Sequence, residues 1–165
     1  MDDLHFIQQA FRQAERAFEA SEVPIGCVIV KDGRIVGRGY NQVESLKDPT
    51  AHAEILAITA ACQTLDNWRL EECTLYVTLE PCPMCAGAIL NSRVARVVYA
   101  APDQRFGACG TCSDVLTGNA LNRAVEVSGG LMADESLGLI RGFFQEMRAR
   151  KGDSGKKPEG LILGN

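Results

Sequence analysis

Thr74-Leu75-Tyr76-Val77-Thr78-Leu79-Glu80-Pro81-Cys82-Pro83-Met84-Cys85-Ala86-Gly87-Ala88, followed by Arg96-Val97-Val98-Tyr99-Ala100, decides the fold. Residues 74–79 are β-branched, aromatic or leucine apart from their spacing and read as a strand, and so do residues 96–100. Pro83 suits the first position of a helix, so the cysteine-bearing segment between them is helical. This is a β-α-β unit. Upstream, Cys27-Val28-Ile29-Val30, Asp32-Gly33 and Ile35-Val36 read as a β-hairpin, because Asp-Gly tolerates the positive φ angles of a tight turn. Ile7, Ala10, Phe11, Ala14, Ala17 and Phe18 recur at helical spacing and mark an amphipathic helix from about Asp2 to Ala20. Asn41 to Thr50 is polar and reads as a loop, with Thr50 the expected N-cap of a helix running to about Cys62. Downstream, Ala124 to Val127 reads as a fifth strand, and Leu137, Ile140, Phe143, Phe144 and Met147 mark a last helix from about Asp134 to Arg150. Residues 152–165 lack periodicity and are expected to form a mobile tail beyond a single domain of residues 1–151.

The helix starts carry the chemistry. His52, Cys82 and Cys85 are one imidazole and two thiols, a set that binds zinc and leaves the fourth tetrahedral position open to water. A structural zinc is normally closed by a fourth protein ligand, so the open position points to hydrolysis. Cys82 and Cys85, at i and i+3, share a helix face. His52 and Glu54, at i and i+2, diverge by about 200° in a helix interior and share none. In a first turn, however, side chains tilt toward the N-terminus and reach a common point beyond the helix end. The metal is therefore expected off two helix starts, where the positive end of each helix favours thiolates. Zinc, two thiolates and a neutral histidine sum to no formal charge, leaving Glu54 free for proton transfer. A capping box from Thr50 would need Glu at position 53, so Glu54 misses that purely structural role by one residue.

The 165 residues, 46% hydrophobic, fit one globular domain. Met1-Asp2-Asp3 is acidic where a signal peptide needs basic residues, and no apolar run approaches membrane-spanning length, so a cytoplasmic protein without membrane partners is expected. Seven cysteines in a reducing compartment read as ligands or small buried hydrophobes. The net charge of −4 argues against a basic coat for nucleic acid. Between Arg141 and Lys157, however, six basic residues (Arg141, Arg148, Arg150, Lys151, Lys156, Lys157) face only Glu146 and Asp153, a local net of +4. That stretch is either a solvated helix face or a phosphate contact.

The order H-x-E then P-C-x-x-C is the signature of zinc nucleobase deaminases. Residues 48–55, DPTAHAEI, and 74–88, TLYVTLEPCPMCAGA, closely resemble the bacterial tRNA-specific adenosine deaminases of the cytidine deaminase superfamily. The likeness runs from Val23-Pro24-Ile25-Gly26 to Phe143-Phe144. It implies an α/β fold, a three-layer α-β-α sandwich around a five-stranded mixed sheet, cytidine deaminase-like. It also implies a homodimer, one Zn²⁺ per subunit, and hydrolytic conversion of the wobble adenosine in a tRNA anticodon stem-loop to inosine. His52, Cys82 and Cys85 take the places of the family's metal ligands and Glu54 that of its proton shuttle. Asn41 stands where the family contacts the target base and Asp103 where it contacts the RNA backbone. Pro24, Ile25, Arg105, Phe144 and Arg148 complete the expected substrate-binding set. Gln104-Arg105-Phe106 departs from the usual small residue, lysine, and small or polar residue; the Phe106 ring either stacks on an unpaired base or packs in the loop.

A deaminase of a free base or nucleoside, of guanine or cytosine type, is the alternative enzyme on such a scaffold. A zinc-stabilised RNA-binding scaffold is the non-enzymatic one, against which Glu54 argues. Cys109-Gly110-Thr111-Cys112 is a second C-x-x-C with no accompanying ligand pair, so two small loop cysteines are expected there. Cys27, Cys62 and Cys73 read as core residues and His5 as a structural one.

Overall fold

The computed structural model describes residues 2–118, 121 and 123–153. Five strands, β1 (Gly26–Lys31), β2 (Arg34–Tyr40), β3 (Thr74–Leu79), β4 (Arg96–Ala101) and β5 (Glu126–Gly129), lie in the order β2-β1-β3-β4-β5. The hairpin β1-β2 and the β1-β3 pair are antiparallel, and β3-β4 and β4-β5 are parallel. The expected five-stranded mixed sheet is therefore present. Asp32 and Gly33 both have positive φ, 50° and 71°, the geometry that the Asp-Gly pair was expected to supply.

Successive residues of a strand face opposite sides, and here both sides are buried. Val28, Val30, Tyr76, Val98 and Ala100 meet Phe6, Ile7 and Ala10 of α1 (Asp3–Glu19) on one face. Cys27, Ile29, Leu75, Val77 and Val97 meet α3 (Ala53–Leu65) and α4 (Pro83–Ser92) on the other. The last helix, α5 (Ala133–Asp153), joins α1 through the Phe143 and Phe18 rings, 5.7 Å apart. Arg96 fastens the start of α1 to the sheet with two 2.7 Å bonds to Asp3, whose other donor is the Tyr76 hydroxyl at 2.8 Å.

Several boundaries differ from the sequence expectations; α3, for one, runs to Leu65 instead of about Cys62. The loop after β2 contains a one-turn helix, α2 (Val43–Leu46). The N-cap of α3 is His52, not Thr50, because the Thr50 hydroxyl and amide are spent on Asp48 Oδ1 at 2.7 and 2.8 Å. β5 begins at Glu126 rather than Ala124, where its ladder to β4 opens with Glu126 N–H donating to Ala95 O. α5 continues to Asp153, past the expected end at Arg150, and an i,i+4 pair between Arg150 and Glu146 supports its last turns. Residues 154–165, most of the expected tail, lie outside the described residues. No described helix is long and apolar enough to cross a membrane.

Close approach of α3 to β2 is what brings His52 to the sheet edge. A Cβ at Gly37 would strike the Ala57 carbonyl, and one at Gly39 the Ala53 carbonyl and the Ala57 amide. Gly39→Ala is therefore expected to destabilise the fold by roughly 2–3 kcal/mol in urea titrations and to weaken zinc retention. Gly138→Ala, in open space on α5, should change stability by no more than about 1 kcal/mol, on the favourable side.

Candidate active site

The ends of β2, β3 and β4 and the start of β1 reach one edge of the sheet, since Gly26 pairs with Tyr40 and Leu79 with Ala101. Ligands of open α/β sheets bind at such an edge. Here the chain turns three times into functional segments: Asn41 after β2, Glu80-Pro81-Cys82 after β3, and Asp103 after β4. α3 and α4 start at the same edge. His52 is the N-cap of α3, Cys82 the N-cap of α4, and both caps are extended, with φ −74° and −73°. Pro83 occupies the first turn, as its fixed φ favours. A turn closed by Asp48 delivers His52, whose N–H donates to Thr50 O at 2.7 Å.

His52 Nδ1 lies 3.6 Å from Cys82 Sγ and 3.5 Å from Cys85 Sγ, and the three donor atoms fall within 4.8 Å of one another. Zinc–sulfur and zinc–nitrogen bonds of ordinary length at a tetrahedral angle separate N from S by about 3.6 Å. The donor set and its spacing therefore fit zinc. All three residues are buried, and Glu54, wholly buried beside them, has neither carboxylate oxygen in a hydrogen bond of ordinary geometry, although the Cys85 thiol lies close enough to act on it. A buried carboxylate without such bonds is costly to keep, so these oxygens are held for something that the folded chain alone does not supply.

The cytidine and deoxycytidylate deaminase zinc-binding region matches residues 1–101. A tRNA-specific adenosine deaminase of Streptococcus pyogenes is 43% identical over 153 residues, 93% of this chain and 96% of that protein. The chain belongs to the tRNA-specific adenosine deaminase family. A solved structure from work on A-to-I editing by tRNA:A34 deaminases at the wobble position of transfer RNA is 44% identical. It covers 82% of this chain and 98% of that one, with a TM-score of 0.77. The guanine deaminase of Nitrosomonas europaea superposes with a TM-score of 0.75 at 26% identity, over 85% of this chain and 83% of that one. This chain is thus a zinc-dependent deaminase with the cytidine deaminase-like α/β fold.

Electrostatics in the deaminase site follow from burial and proximity. The hydrogen bond from Cys85 draws the Cys82 thiol down to about 4, toward the thiolate, against the opposing effect of burial. The same bond and burial push Cys85 up, so the pair shares a proton until a metal displaces it. Burial acts to lower the His52 imidazole, but its bond to Cys82 and the nearby Glu54 outweigh this and raise it. Burial lifts Glu54 to about 7.

The structure brings some of the other expected site residues to this edge. Asn41 is buried, with its Oδ1 unpaired, and its N–H donates to Ile25 O at 3.1 Å. Pro24 and Ile25 are buried alongside. Asp103 Oδ1 accepts from the Arg105 and Phe106 amides at 2.9 and 3.3 Å, so this side chain shapes its own loop. Arg105 is exposed, and Phe106, at 42% exposure, stands out of the loop instead of packing inside it. Phe144 packs edge-on against Phe143 at 5.2 Å and Arg148 is exposed on α5; among the described contacts neither meets the four-residue cluster. Cys109 is buried and Cys112 exposed, both free thiols in a loop, and Cys27 and Cys73 are core residues.

Two buried carboxylates at this edge were not singled out in the sequence. Glu22 accepts from the Glu44 and Ser45 amides at 3.2 and 2.6 Å, fixing α2 beside Asn41, and Glu80 directly follows the last residue of β3. The available signal for Glu80 is a charged residue directly after an uncharged strand.

The raised Glu54 sets a pH dependence. Its folded-state value of about 7 exceeds the ordinary 4.5, so as pH rises the unfolded chain ionises first. Between about pH 4.5 and 7 this group removes roughly 3 kcal/mol from the stability of chelator-treated protein, while the lowered Cys82 thiol acts in the opposite sense over the same range, so the contribution of Glu54 is read from the difference between wild type and a Glu54 variant. Glu54→Gln should raise Tm of that protein at about pH 8 and leave it nearly unchanged at about pH 4.5. Equal melting of the two at the higher pH would contradict the assignment.

Proposed function

We propose that this deaminase converts adenosine to inosine at the wobble position of a tRNA anticodon loop, with His52, Cys82 and Cys85 as zinc ligands and Glu54 as the catalytic proton carrier. The observation that carries the reading is Glu54: a wholly buried carboxylate with neither oxygen in a hydrogen bond of ordinary geometry, beside three zinc donors. His52, Cys82 and Cys85 would hold the zinc, which when bound would lower the pKa of a water toward neutrality. Glu54 takes one proton from the attacking water and delivers it to N1 of adenine as oxygen adds to C6; it then takes the hydroxyl proton of the C6 adduct and gives it to the departing amine, so that the C–N bond breaks as the C6 carbonyl forms. Inosine and ammonia are the products. One carboxylate suffices because each proton it takes is passed on.

Asn41, with an unpaired buried oxygen, is placed to hydrogen-bond the adenine, and Pro24 and Ile25 to wall it. An anticodon loop presents unstacked bases that can enter such a recess without the cost of opening a duplex. Asp103 and Arg105 meet the RNA backbone, and Phe106, standing exposed, offers a stacking face to a neighbouring base. Phe144 and Arg148 extend the contact along α5. The domain is residues 1–151, it acts as a homodimer, and it works in the cytoplasm, where tRNA is modified.

Deamination of a free base is the second reading, favoured by the likeness to guanine deaminase. One assay separates the two: incubation with an anticodon stem-loop, free adenosine and free guanine, with ammonia and inosine measured. The stem-loop alone should react, and Glu54→Ala should lower its rate by at least about a thousandfold with zinc content unchanged. Turnover of guanine in place of the stem-loop would favour the second reading, and a near-normal rate for Glu54→Ala would contradict the role of Glu54. Truncation after Arg148 should weaken stem-loop binding and flatten its salt dependence; an unchanged salt slope would remove the basic segment from the RNA contact.

A further inference from the structure

Glu80 is 1% exposed and stands between the last residue of β3 and Pro81-Cys82. Its carboxylate accepts three backbone N–H bonds, all from the segment that follows β4. Asp103 N–H donates to Oε2 at 3.0 Å, and Cys109 and Thr111 N–H donate to Oε1 at 3.0 and 3.1 Å. Gly107 lies against the same group, where a Cβ would collide with the carboxylate. Ala108 N–H adds a bond to Pro81 O at 2.9 Å. Three charge-assisted bonds to main chain stabilise a buried carboxylate, and they span both ends of a nine-residue loop. Catalysis as described above uses none of these atoms.

The loop so fastened carries Asp103, Arg105 and Phe106. We propose that Glu80 is a positioning residue for RNA recognition: its carboxylate fixes segment 103–111 against the start of α4, so that the loop meets the substrate already shaped. The inference rests on the RNA reading of the function. A loop ordered before binding loses less conformational freedom on binding, and the gain appears in affinity, not in the chemical step. Glu22 does the equivalent for the segment beside Asn41, with two amides and the Ser45 hydroxyl.

Replacement by glutamine gives a directional test. Glutamine keeps one acceptor oxygen and turns the other into a donor. Because Oε1 serves two N–H groups and Oε2 one, the less costly orientation keeps oxygen at the Cys109 and Thr111 side and sets NH₂ against the Asp103 N–H. The Asp103 end of the loop is the end that comes loose.

Zinc-loaded wild type, Glu80→Gln, Asp103→Ala and the double variant are compared on an anticodon stem-loop, with zinc content, kcat, KM and amide hydrogen exchange measured. Glu80→Gln should keep its zinc, raise KM about tenfold and leave kcat within about threefold. Its Asp103 amide should exchange faster, and Asp103→Ala should cost less in this background than in wild type. In wild type, the amides of Asp103, Cys109 and Thr111 should exchange more slowly than that of exposed Gln104. An unchanged KM, a fall confined to kcat, loss of zinc, failure to fold, or unprotected amides in wild type would each overturn the proposal. If Asp103→Ala leaves KM unchanged while Glu80→Gln raises it, the Asp103 contact fails and the role of Glu80 stands. The opposite pattern removes Glu80 alone.

Discussion

Everything at the working edge of this protein depends on one geometric demand: a nitrogen must sit about 3.6 Å from each of two sulfurs that come from a segment 30 residues further along the chain. Two helix starts meet it. His52 and Cys82 are the N-caps of α3 and α4, and a residue in that position points its side chain beyond the helix end. The positive ends of both helices then converge on a cluster that must stabilise thiolates. The sheet makes the convergence possible because β2 is glycine at positions 37 and 39, so α3 lies close enough for His52 to reach the edge where β3 delivers Cys82.

The same edge holds polar groups that the fold alone leaves unsatisfied. Glu54 and Asn41 are buried with unpaired oxygens, while Glu22 and Glu80, equally buried, are saturated by main-chain donors. The division separates groups that the folded chain leaves open from groups that hold the surrounding loops. Burial is what gives Glu54 a value near 7, the range in which a carboxyl group can both take and give a proton under cellular conditions.

Much of this was legible in the sequence because it is local. Strand patterning around Pro83 marked the β-α-β unit, Asp32-Gly33 marked the hairpin, and the His-x-Glu and Cys-x-x-Cys spacings marked the metal site. The N-cap was misplaced for a physical reason: Asp48 competes for the Thr50 hydroxyl, and that choice is made by a turn, not by cap preference. Glu54 misses a capping box from His52 as it missed one from Thr50, now by a residue in the other direction. Glu80 escaped notice because its partners are backbone amides 23 to 31 residues away, and an N–H donor has no letter in a sequence. Phe106 carries two readings in the sequence because exposure is a property of the folded loop.

The central claim is that zinc is held here by three protein ligands with one position open, and that Glu54 stands near the metal without binding it. Zinc K-edge absorption spectroscopy of the purified protein and of Glu54→Gln tests this most directly. The account predicts two sulfur ligands at about 2.3 Å and two nitrogen or oxygen ligands at about 2.0–2.1 Å, unchanged in the variant. A third sulfur, which Cys109 or Cys112 would have to supply, or an oxygen ligand lost on substitution of Glu54, would contradict it.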